Sequence, residues 1–305
     1  MVIMSAEIKA KIERVFTRGV AELIDPEGKF RAKVEQKATG RYPQDIIIKF
    51  GVDPTRPDIH LGHAVVFRKL RDFQDLGCKV VFLIGDFTAQ IGDPSGKSKV
   101  RPELEQKEVE ANMKTFIDQV SKILLTDAHN FSWIRNSDWY TAVTDLVLPS
   151  GSKVKSSQYG EVDANTMMGK ALVYESTRMQ RTHLKKAEIV AITLRSLIWT
   201  LRHITHGRLI QRDFFQERLK AGEELYTHEL MYPVLQGIDS HVLAKIYGTC
   251  DLEIGGTDQT FNMLVGRDVM RANHQEPQAV LACQLLTGLD GREKMTKSSD
   301  NYIAI

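Results

Sequence analysis

Residues 45–51 read Asp-Ile-Ile-Ile-Lys-Phe-Gly, a mostly apolar run that is typical of a strand buried on both faces of a sheet. A loop with two prolines follows at 52–58. Residues 62–76 then repeat apolar side chains at helical spacing and stop before Gly77, and 79–85 form a second predicted strand. Strand, helix and strand in this order predict a right-handed crossover unit of a parallel sheet.

Strand-like segments return late in the chain, at 250–254 and 281–286. Ligands of parallel sheets bind beyond the carboxyl ends of the strands. Two runs leave the first two predicted strands at that edge, Gly51-Val-Asp-Pro-Thr and Gly85-Asp-Phe-Thr. We therefore expect the functional site at this edge of the sheet.

The remaining segments predict helices and an insertion. Residues 5–23 predict one amphipathic helix, with apolar side chains at Ile8, Ile12, Val15, Phe16, Val20 and Leu23. Residues 145–165 are polar and turn-rich, whereas 166–220 are predicted to be helical. Basic side chains mark the helical part: Arg178, Arg181, Lys185, Lys186, Arg195, Arg202, Arg208 and Arg212.

We interpret 145–220 as a polar loop and a helical insertion between the two halves of one nucleotide-binding domain that spans 1–305. The predicted fold class is therefore α/β, a Rossmann-like domain built on a parallel sheet, with a mostly helical insertion between its two halves.

Composition excludes several classes of protein. The chain has 305 residues, 42% of them hydrophobic, enough for a substantial core. A net charge of +2 means that any contact with RNA must come from local basic patches. The three cysteines are odd in number and lack CxxC spacing, which argues against a disulfide framework or a zinc site. Without a signal-peptide core or a membrane-length apolar run, the sequence predicts a cytoplasmic protein.

Two short motifs at opposite ends of the chain carry candidate chemistry. His60-Leu-Gly-His63 stands at the predicted start of a helix, where the amino terminus favours phosphate. Lys294-Met-Thr-Lys-Ser298 follows a glycine-flanked turn, and its ammonium groups can neutralise a leaving anion. Taken singly, the first is equally an ordinary helix start, and the second an ordinary surface turn.

A third motif consists of Tyr232, Gln236 and Asp239, spaced by four and three residues. This spacing places the three side chains along one face of a helix. Their neighbours are largely apolar, so some of these polar groups must face inward or line a cleft. A buried carboxylate needs a partner, and we expect one for Asp239.

Together with further runs in the same order, these motifs resemble the tyrosyl members of the class I aminoacyl-tRNA synthetases. The further runs are Asp53-Pro-Thr, Gly92-Asp-Pro-Ser-Gly-Lys and Gly255-Gly-Thr-Asp-Gln, and the resemblance covers about 45–140 and 208–305. It implies ATP-dependent activation of L-tyrosine, with ATP as Mg-ATP and no protein-bound structural metal. It also implies transfer of tyrosine to tRNA(Tyr) and a homodimer formed through the central region.

The resemblance assigns roles to individual residues. Those implied for the phosphates and the pyrophosphate leaving group are Thr55, His60, His63, Lys97, Arg101, Lys294, Lys297 and Ser298. Those implied for the rest of the nucleotide are Gly51, Gly62, Gly255, Gly256 and Asp258, with Gly62 leaving room for the adenine and Asp258 binding the ribose. Those implied for the amino acid are Asp53, Asp93, Tyr232, Gln236, Asp239 and Gln259.

In this set, Tyr232, Gln236 and Asp93 hold the α-ammonium group, and Asp239 accepts the phenolic hydroxyl. A site of this kind rejects phenylalanine because the hydrogen-bonding group is left unpaired, and tyrosyl-tRNA synthetase is itself the standard example of that behaviour. Three positions depart from the usual pattern: Thr296 replaces serine, Ile238 replaces tyrosine, and Lys49 stands where a second tyrosine binds the phenol.

Members of the resembled family continue into a helical anticodon-binding region that this sequence does not include. Whether the sequence is a fragment of a full enzyme or a stand-alone catalytic domain, we expect activation of tyrosine to be retained and transfer to tRNA to be weakened. The basic residues at 178–212 are a candidate contact for the acceptor stem, although a solvated face or a dimer interface explains them equally well. Two alternative functions remain open. One is a tryptophan-activating relative, against which Asp239 argues. The other is a non-catalytic synthetase-like module that binds an amino acid.

Overall fold

The computed structural model describes residues 4–94, 108, 111–112, 116–140, 145–147, 153–155, 172–173, 188–189, 192, 194–296 and 300–305. Its strands are β1 (Val20–Ile24), β2 (Ile47–Val52), β3 (Lys79–Ile84), β4 (Phe131–Arg135), β5 (Asp145–Val147), β6 (Lys153–Lys155), β7 (Leu172–Val173), β8 (Glu188–Ile189), β9 (Leu252–Gly256) and β10 (Ala279–Cys283).

The helices alternate with these strands along much of the chain. They are α1 (Ala6–Thr17), α2 (Lys29–Ala38), α3 (Leu61–Gln74), α4 (Thr88–Ile91), α5 (Phe116–Ser121), α6 (Ser137–Tyr140), α7 (Leu194–Leu201), α8 (His206–Ile210), α9 (Asp213–Lys220), α10 (Thr227–Tyr247) and α11 (Thr260–Ala272). A single 3₁₀ turn at Thr257–Gln259 joins β9 to α11. None of the helices in the described part of the chain is both long and apolar enough to cross a bilayer.

The main sheet has six strands in the order β1-β10-β9-β2-β3-β4. The strands from β10 to β4 run parallel, and β1 joins the edge antiparallel to β10. The predicted crossover unit is confirmed, because β2 and β3 pair in parallel and α3 connects them. The α/β fold class is likewise confirmed.

Apolar layers cover both faces of this sheet. Along β2, Ile48 and Phe50 point to the face that is packed by α1 and α3, whereas Ile47 points to the opposite face, against α10 and α11. Because β2 is buried on both faces, its sequence shows a continuous apolar run instead of alternation.

The amino-terminal prediction of one helix over 5–23 is wrong in its second half. Helix α1 ends at Thr17, and Gly19 follows with φ +69°, in the left-handed region that glycine adopts readily. Residues 20–24 then form β1. Val20 and Leu23 fit a helical period and an edge strand equally well, and pairing with β10 decides between them.

Within the predicted insertion the outcome is mixed. Helices α7, α8 and α9 lie within 194–220, as predicted. However, β7 and β8 form an antiparallel pair inside the segment that was predicted to be helical, and β5 pairs with β6 in the polar part. The basic residues Arg178, Arg181, Lys185 and Lys186 lie outside the described residues.

The last described segment returns to the start of α3. The Leu61 backbone N–H donates to the Ile303 carbonyl at 2.9 Å, and the Ile305 N–H donates to the Ile59 carbonyl at 2.9 Å. These bonds form an antiparallel bridge between His60 and Ala304. The segment that follows the second motif is therefore clasped to the segment that carries the first.

Candidate active site

A cavity of ≈ 280 Å³ opens beyond the carboxyl ends of β2, β3 and β9. This is the edge at which the sequence predicted a site. Most of the candidate residues line the cavity: Gly51, Asp53, Thr55, His60, Gly62, His63, Asp93, Tyr232, Gln236, Asp239, Gly255, Gly256, Asp258, Gln259 and Lys294. The other four, Lys97, Arg101, Lys297 and Ser298, lie outside the described residues.

Asp239 lies at the buried end of the cavity, only 2% exposed. Its Oδ1 accepts a hydrogen bond from Trp139 Nε1 at 3.0 Å, and its Oδ2 accepts one from Asn136 Nδ2 at 3.4 Å. Burial raises the pKa of Asp239 to about 6, although the positive charge of Lys49 and these donors oppose the rise. The sequence predicted that the buried carboxylate has a partner, and the structure supplies Trp139 and Asn136.

Sequence reasoning did not identify Asn136 or Trp139. Both follow β4 at the same edge of the sheet as the other site residues. Position at a strand end was the available signal, but β4 itself was not predicted from the sequence. Asp86, at the end of β3, accepts hydrogen bonds from the Ser137 backbone N–H at 3.0 Å and its Oγ at 2.7 Å. This contact fixes the turn that carries both residues.

Asp53 connects three elements at the mouth of this pocket. Its Oδ2 accepts a hydrogen bond from the Tyr232 hydroxyl at 2.8 Å, and its Oδ1 accepts one from Thr88 Oγ1 at 2.8 Å. Thr88 Oγ1 in turn accepts from Asn136 Nδ2 at 3.0 Å. A short hydrogen-bonded path therefore joins Asp53 to a side chain that also contacts Asp239.

Lys49 is fully buried in the wall of the cavity. Its Nζ lies 2.9 Å from Glu253 Oε1 and donates to the Gln236 carbonyl at 2.9 Å and to Ser240 Oγ at 2.8 Å. An ammonium group has three N–H donors, and these three contacts use all of them. Lys49 therefore stabilises the cavity wall by binding Glu253, Gln236 and Ser240. In this arrangement it does not supply a second partner for a phenol.

Ile238, where the resembled family often carries tyrosine, is 1% exposed. It belongs to the apolar cluster that includes Val265 and Val269 of α11. The substitution therefore falls on the helix–helix packing side of α10.

Asp93 lines the cavity and contacts Gln259 and Arg212, which belong to other elements. Gln259 Nε2 donates to Asp93 Oδ2 at 2.7 Å, and Arg212 Nη2 lies 3.8 Å from Asp93 Oδ1. Arg212 is only 6% exposed. The hypothesis that the basic residues at 178–212 contact an acceptor stem is therefore wrong at Arg212, because this N-cap residue of α9 is buried against Asp93.

The first motif caps α3. His60 is the N-cap residue, and its Nδ1 accepts a hydrogen bond from the Gly62 backbone N–H at 3.1 Å. His63 Nδ1 accepts one from the His60 backbone N–H at 3.3 Å, and the centroids of the two imidazole rings lie 4.0 Å apart. A Cβ atom at Gly62 would come within 2.8 Å of the His60 ring, so glycine permits the capping geometry. Both imidazoles thus lie at a helix amino terminus, which favours anions.

The described part of the second motif contacts the run that leaves β9. Lys294 Nζ lies 2.8 Å from Asp258 Oδ2. Asn301 holds this segment, since its Oδ1 accepts from the Thr296 N–H at 2.8 Å and its Nδ2 donates to the Lys294 carbonyl at 3.1 Å. The structure therefore brings a cation from the second motif into the cavity that the two histidines also line.

Comparison with known proteins agrees with this geometry. Residues 42–150 and 162–305 match the family described as tRNA synthetases class I (W and Y). A protein of Francisella tularensis subsp. tularensis called tyrosine–tRNA ligase is 38% identical over 300 residues, covering 98% of this chain and 60% of the relative. A protein of Deinococcus radiodurans with the same name is 40% identical over 292 residues, covering 96% of this chain and 56% of the relative.

Among solved structures, a C-terminally truncated mitochondrial tyrosyl-tRNA synthetase of Aspergillus nidulans superimposes with a TM-score of 0.63 at 19% identity, covering 97% of this chain and 73% of that one. At this identity the match supports the fold alone. The chain spans about three fifths of the length of the curated relatives described above. Because the family match extends over most of the sequence and both motifs line one cavity, the chain belongs to the class I tRNA synthetases of the tryptophan and tyrosine type.

Proposed function

We propose that this chain activates L-tyrosine with ATP, taken up as its magnesium complex, to form tyrosyl-adenylate and pyrophosphate. One observation carries the choice of amino acid: a buried carboxylate, Asp239, ends the cavity and lies on the same helix face as Tyr232 and Gln236. The names of the curated relatives support the same substrate.

In the proposed reaction, a carboxylate oxygen of tyrosine forms a bond to the α-phosphorus of ATP. The bond between that phosphorus and its bridging oxygen breaks, and the electron pair leaves with pyrophosphate. The protein aligns the reactants and neutralises the charge on the leaving group. We assign this work to His60, His63 and Thr55, together with Lys294, Lys97, Arg101, Lys297 and Ser298. The remaining nucleotide contacts are assigned to Gly51, Gly62, Gly255, Gly256 and Asp258.

Selection of the amino acid is assigned to the buried half of the cavity. Asp239 accepts the phenolic hydroxyl, and the α-ammonium group is held by Asp53, Asp93, Tyr232, Gln236 and Gln259. Phenylalanine would leave a buried carboxylate without its substrate partner, and an unmade hydrogen bond to a charged group weakens binding by about 1.5–3 kcal/mol. Tryptophan offers an indole N–H in a ring system of different shape, so a tryptophan-activating enzyme remains the nearest competing assignment.

We further propose that the adenylate is passed to tRNA(Tyr), that the protein acts as a homodimer in the cytoplasm, and that 145–220 is an insertion within one catalytic domain. Arg195 and Arg202, both exposed on and after α7, are two described basic residues of this stretch that are available to RNA. Aminoacylation of tRNA(Tyr), measured alongside adenylate formation, tests the transfer step separately from activation.

Exchange of labelled pyrophosphate into ATP tests the activation step. We expect exchange with tyrosine and none above background with phenylalanine or tryptophan. Asp239→Ala should abolish the tyrosine signal, whereas Lys245→Ala, which removes an exposed lysine of the same helix, should leave it unchanged. Exchange with tryptophan instead of tyrosine would support the competing enzyme, and a folded protein that binds tyrosine without exchange would support a non-catalytic module.

A further inference from the structure

A chain of three side-chain amides runs along the cavity between two carboxylates. Gln236 Nε2 donates to Glu253 Oε1 at 3.0 Å, and Gln259 Nε2 donates to Asp93 Oδ2 at 2.7 Å. Between them, Asn262 Nδ2 donates to Gln236 Oε1 at 3.0 Å and to Gln259 Oε1 at 3.2 Å. The chain therefore links Glu253 to Asp93 through three amide side chains and four hydrogen bonds.

The two carboxylates determine the orientation of the amides. An ionised carboxylate can only accept hydrogen bonds, so each glutamine must turn its NH₂ group toward its carboxylate. The carbonyl oxygen of each glutamine then points toward Asn262, and Asn262 must donate hydrogen bonds to both oxygens from its own NH₂ group. The orientation of all three amides follows from the chemistry of the two ends.

Glu253 is built into this position. It is 2% exposed, and its charge is balanced by the fully buried Lys49 at 2.9 Å. Ser240 Oγ donates to its other oxygen at 3.2 Å, and Gln278 Nε2 also donates to that oxygen. A buried charge that is paired and fully hydrogen-bonded holds one geometry, because loss of any partner leaves an uncompensated group.

Asn262 lies at the centre of the chain and is fully buried, in the first turn of α11. Gln236 and Gln259 both line the cavity. A carbonyl oxygen has two lone pairs, so the bond from Asn262 does not exhaust the acceptor capacity of Gln236. The arrangement gathers amide oxygens and the Asp93 carboxylate at one side of the cavity, which suits a cation with several N–H donors.

We propose that Asn262 and Glu253 are positioning residues, which fix the Gln236 amide so that its oxygen is presented to the α-ammonium group of the amino acid. This inference rests on the proposed function, since it concerns how the same pocket holds its substrate. Neither residue contacts the reacting atoms. They keep the Gln236 amide from rotating. A rotated amide would present its NH₂ group, instead of its oxygen, to the cation.

The test compares two ligands that differ only in the ammonium group, tyramine and 4-ethylphenol. Affinities are measured by ligand-observed NMR titration for the wild type and for Asn262→Leu, and L-tyrosine is titrated in parallel. We expect Asn262→Leu to weaken tyramine and tyrosine binding about tenfold, as for loss of an oriented acceptor to a charged donor, and to leave 4-ethylphenol within about twofold. Asn273→Leu, the same substitution at the other end of the helix, should leave the affinities for tyramine and 4-ethylphenol unchanged.

A second variant covers the case in which Asn262→Leu does not fold. The double substitution Lys49→Met and Glu253→Met removes both charges of the buried pair together, so that neither is left unpaired. It should produce the same selective loss of tyramine. Equal weakening of both ligands, or no weakening of tyramine, would overturn the inference while leaving the proposed function intact. A wild-type protein that binds no tyrosine would instead overturn the proposed function, and this inference with it.

Discussion

The two halves of the cavity are built differently. At the end proposed to hold the amino acid, Asp239 is buried and hydrogen-bonded from an adjoining strand end, and Lys49 and Glu253 form a paired wall. At the end proposed to hold the nucleotide, the main contacts come from a helix cap and from a lysine on a loop, which is about one quarter exposed. The first half is fixed by packing before any ligand arrives. The second carries a lysine charge that is less buried, which suits the role in stabilising a leaving group that we propose for it.

The largest effect should come from the nucleotide end. Lys294→Ala is expected to lower the rate of adenylate formation by about 10²–10³-fold, the range for losing one preorganised group that stabilises transition-state charge. Tyrosine affinity should change by less than about twofold, because the ion pair of Lys294 is with Asp258, not with a described side chain around Asp239. Single-turnover assays and equilibrium dialysis measure the two quantities. A parallel loss of tyrosine affinity would show that the two halves are not separable.

His60→Ala should behave in the same way, and it tests the assignment of the first motif. The variant also removes a helix cap, so a loss of about 1 kcal/mol in unfolding free energy is expected. Thermal unfolding measured alongside the kinetics separates the two contributions. Abolished tyrosine binding with intact turnover would contradict the role given to this histidine.

Substitution at the amino-acid end should produce the opposite pattern. Asp239→Asn is expected to lower the preference for tyrosine over phenylalanine by about 100-fold, as for a lost hydrogen bond to a charged group. The Michaelis constant for ATP should stay unchanged. Exchange assays at varied tyrosine, phenylalanine and ATP give all three values, and an unaltered preference would exclude Asp239 as the acceptor of the hydroxyl.

Acidification should affect the amino-acid end selectively. Burial raises the pKa of Asp239 to about 6, so the carboxylate loses its charge below that pH. The Michaelis constant for tyrosine should rise about tenfold from pH 7 to pH 5, and Asp239→Asn should flatten the profile. The contribution of Asp239 to the free energy of unfolding has the opposite pH dependence from its contribution to tyrosine binding. Because its folded pKa lies above the reference value of 3.8, stability falls as pH rises from about 4 to 6.

The smallest effect should come from Thr88, which joins Asp53 at the mouth of the proposed amino-acid pocket to Asn136 at its buried end. Thr88→Val removes a hydroxyl that donates to Asp53 and accepts from Asn136. We expect about a fivefold rise in the Michaelis constant for tyrosine, in line with one or two neutral hydrogen bonds, and no change for ATP. Thr249→Val, a matched substitution remote from the cavity, is the control. Steady-state exchange kinetics for both substrates would reveal any effect on ATP, which would contradict the expectation.

The parts of this molecule that the sequence could predict are those encoded within short segments. The strand–helix–strand unit from β2 to β3 follows from local apolar periodicity, and the candidate residues that line the cavity belong to compact motifs. The partners of Asp239 could not be found in that way, because Trp139 lies 100 residues earlier in the chain and only tertiary packing brings it near. The prediction of a helix over residues 20–23 was wrong for a related reason. Pairing of this segment with the distant strand β10 overrides its local helical period.

The clasp between the last described residues and the start of α3 has a consequence for conformational entropy. Lys294 is bridged to Thr287 on one side, and Ile303 is bonded to Leu61 on the other, so this segment is anchored at both positions. A chain fixed at both ends explores fewer arrangements than a free tail of equal length. In the proposed reaction, less conformational entropy then has to be lost when Lys294 is ordered around the leaving group, because part of that entropy is already lost when the protein folds.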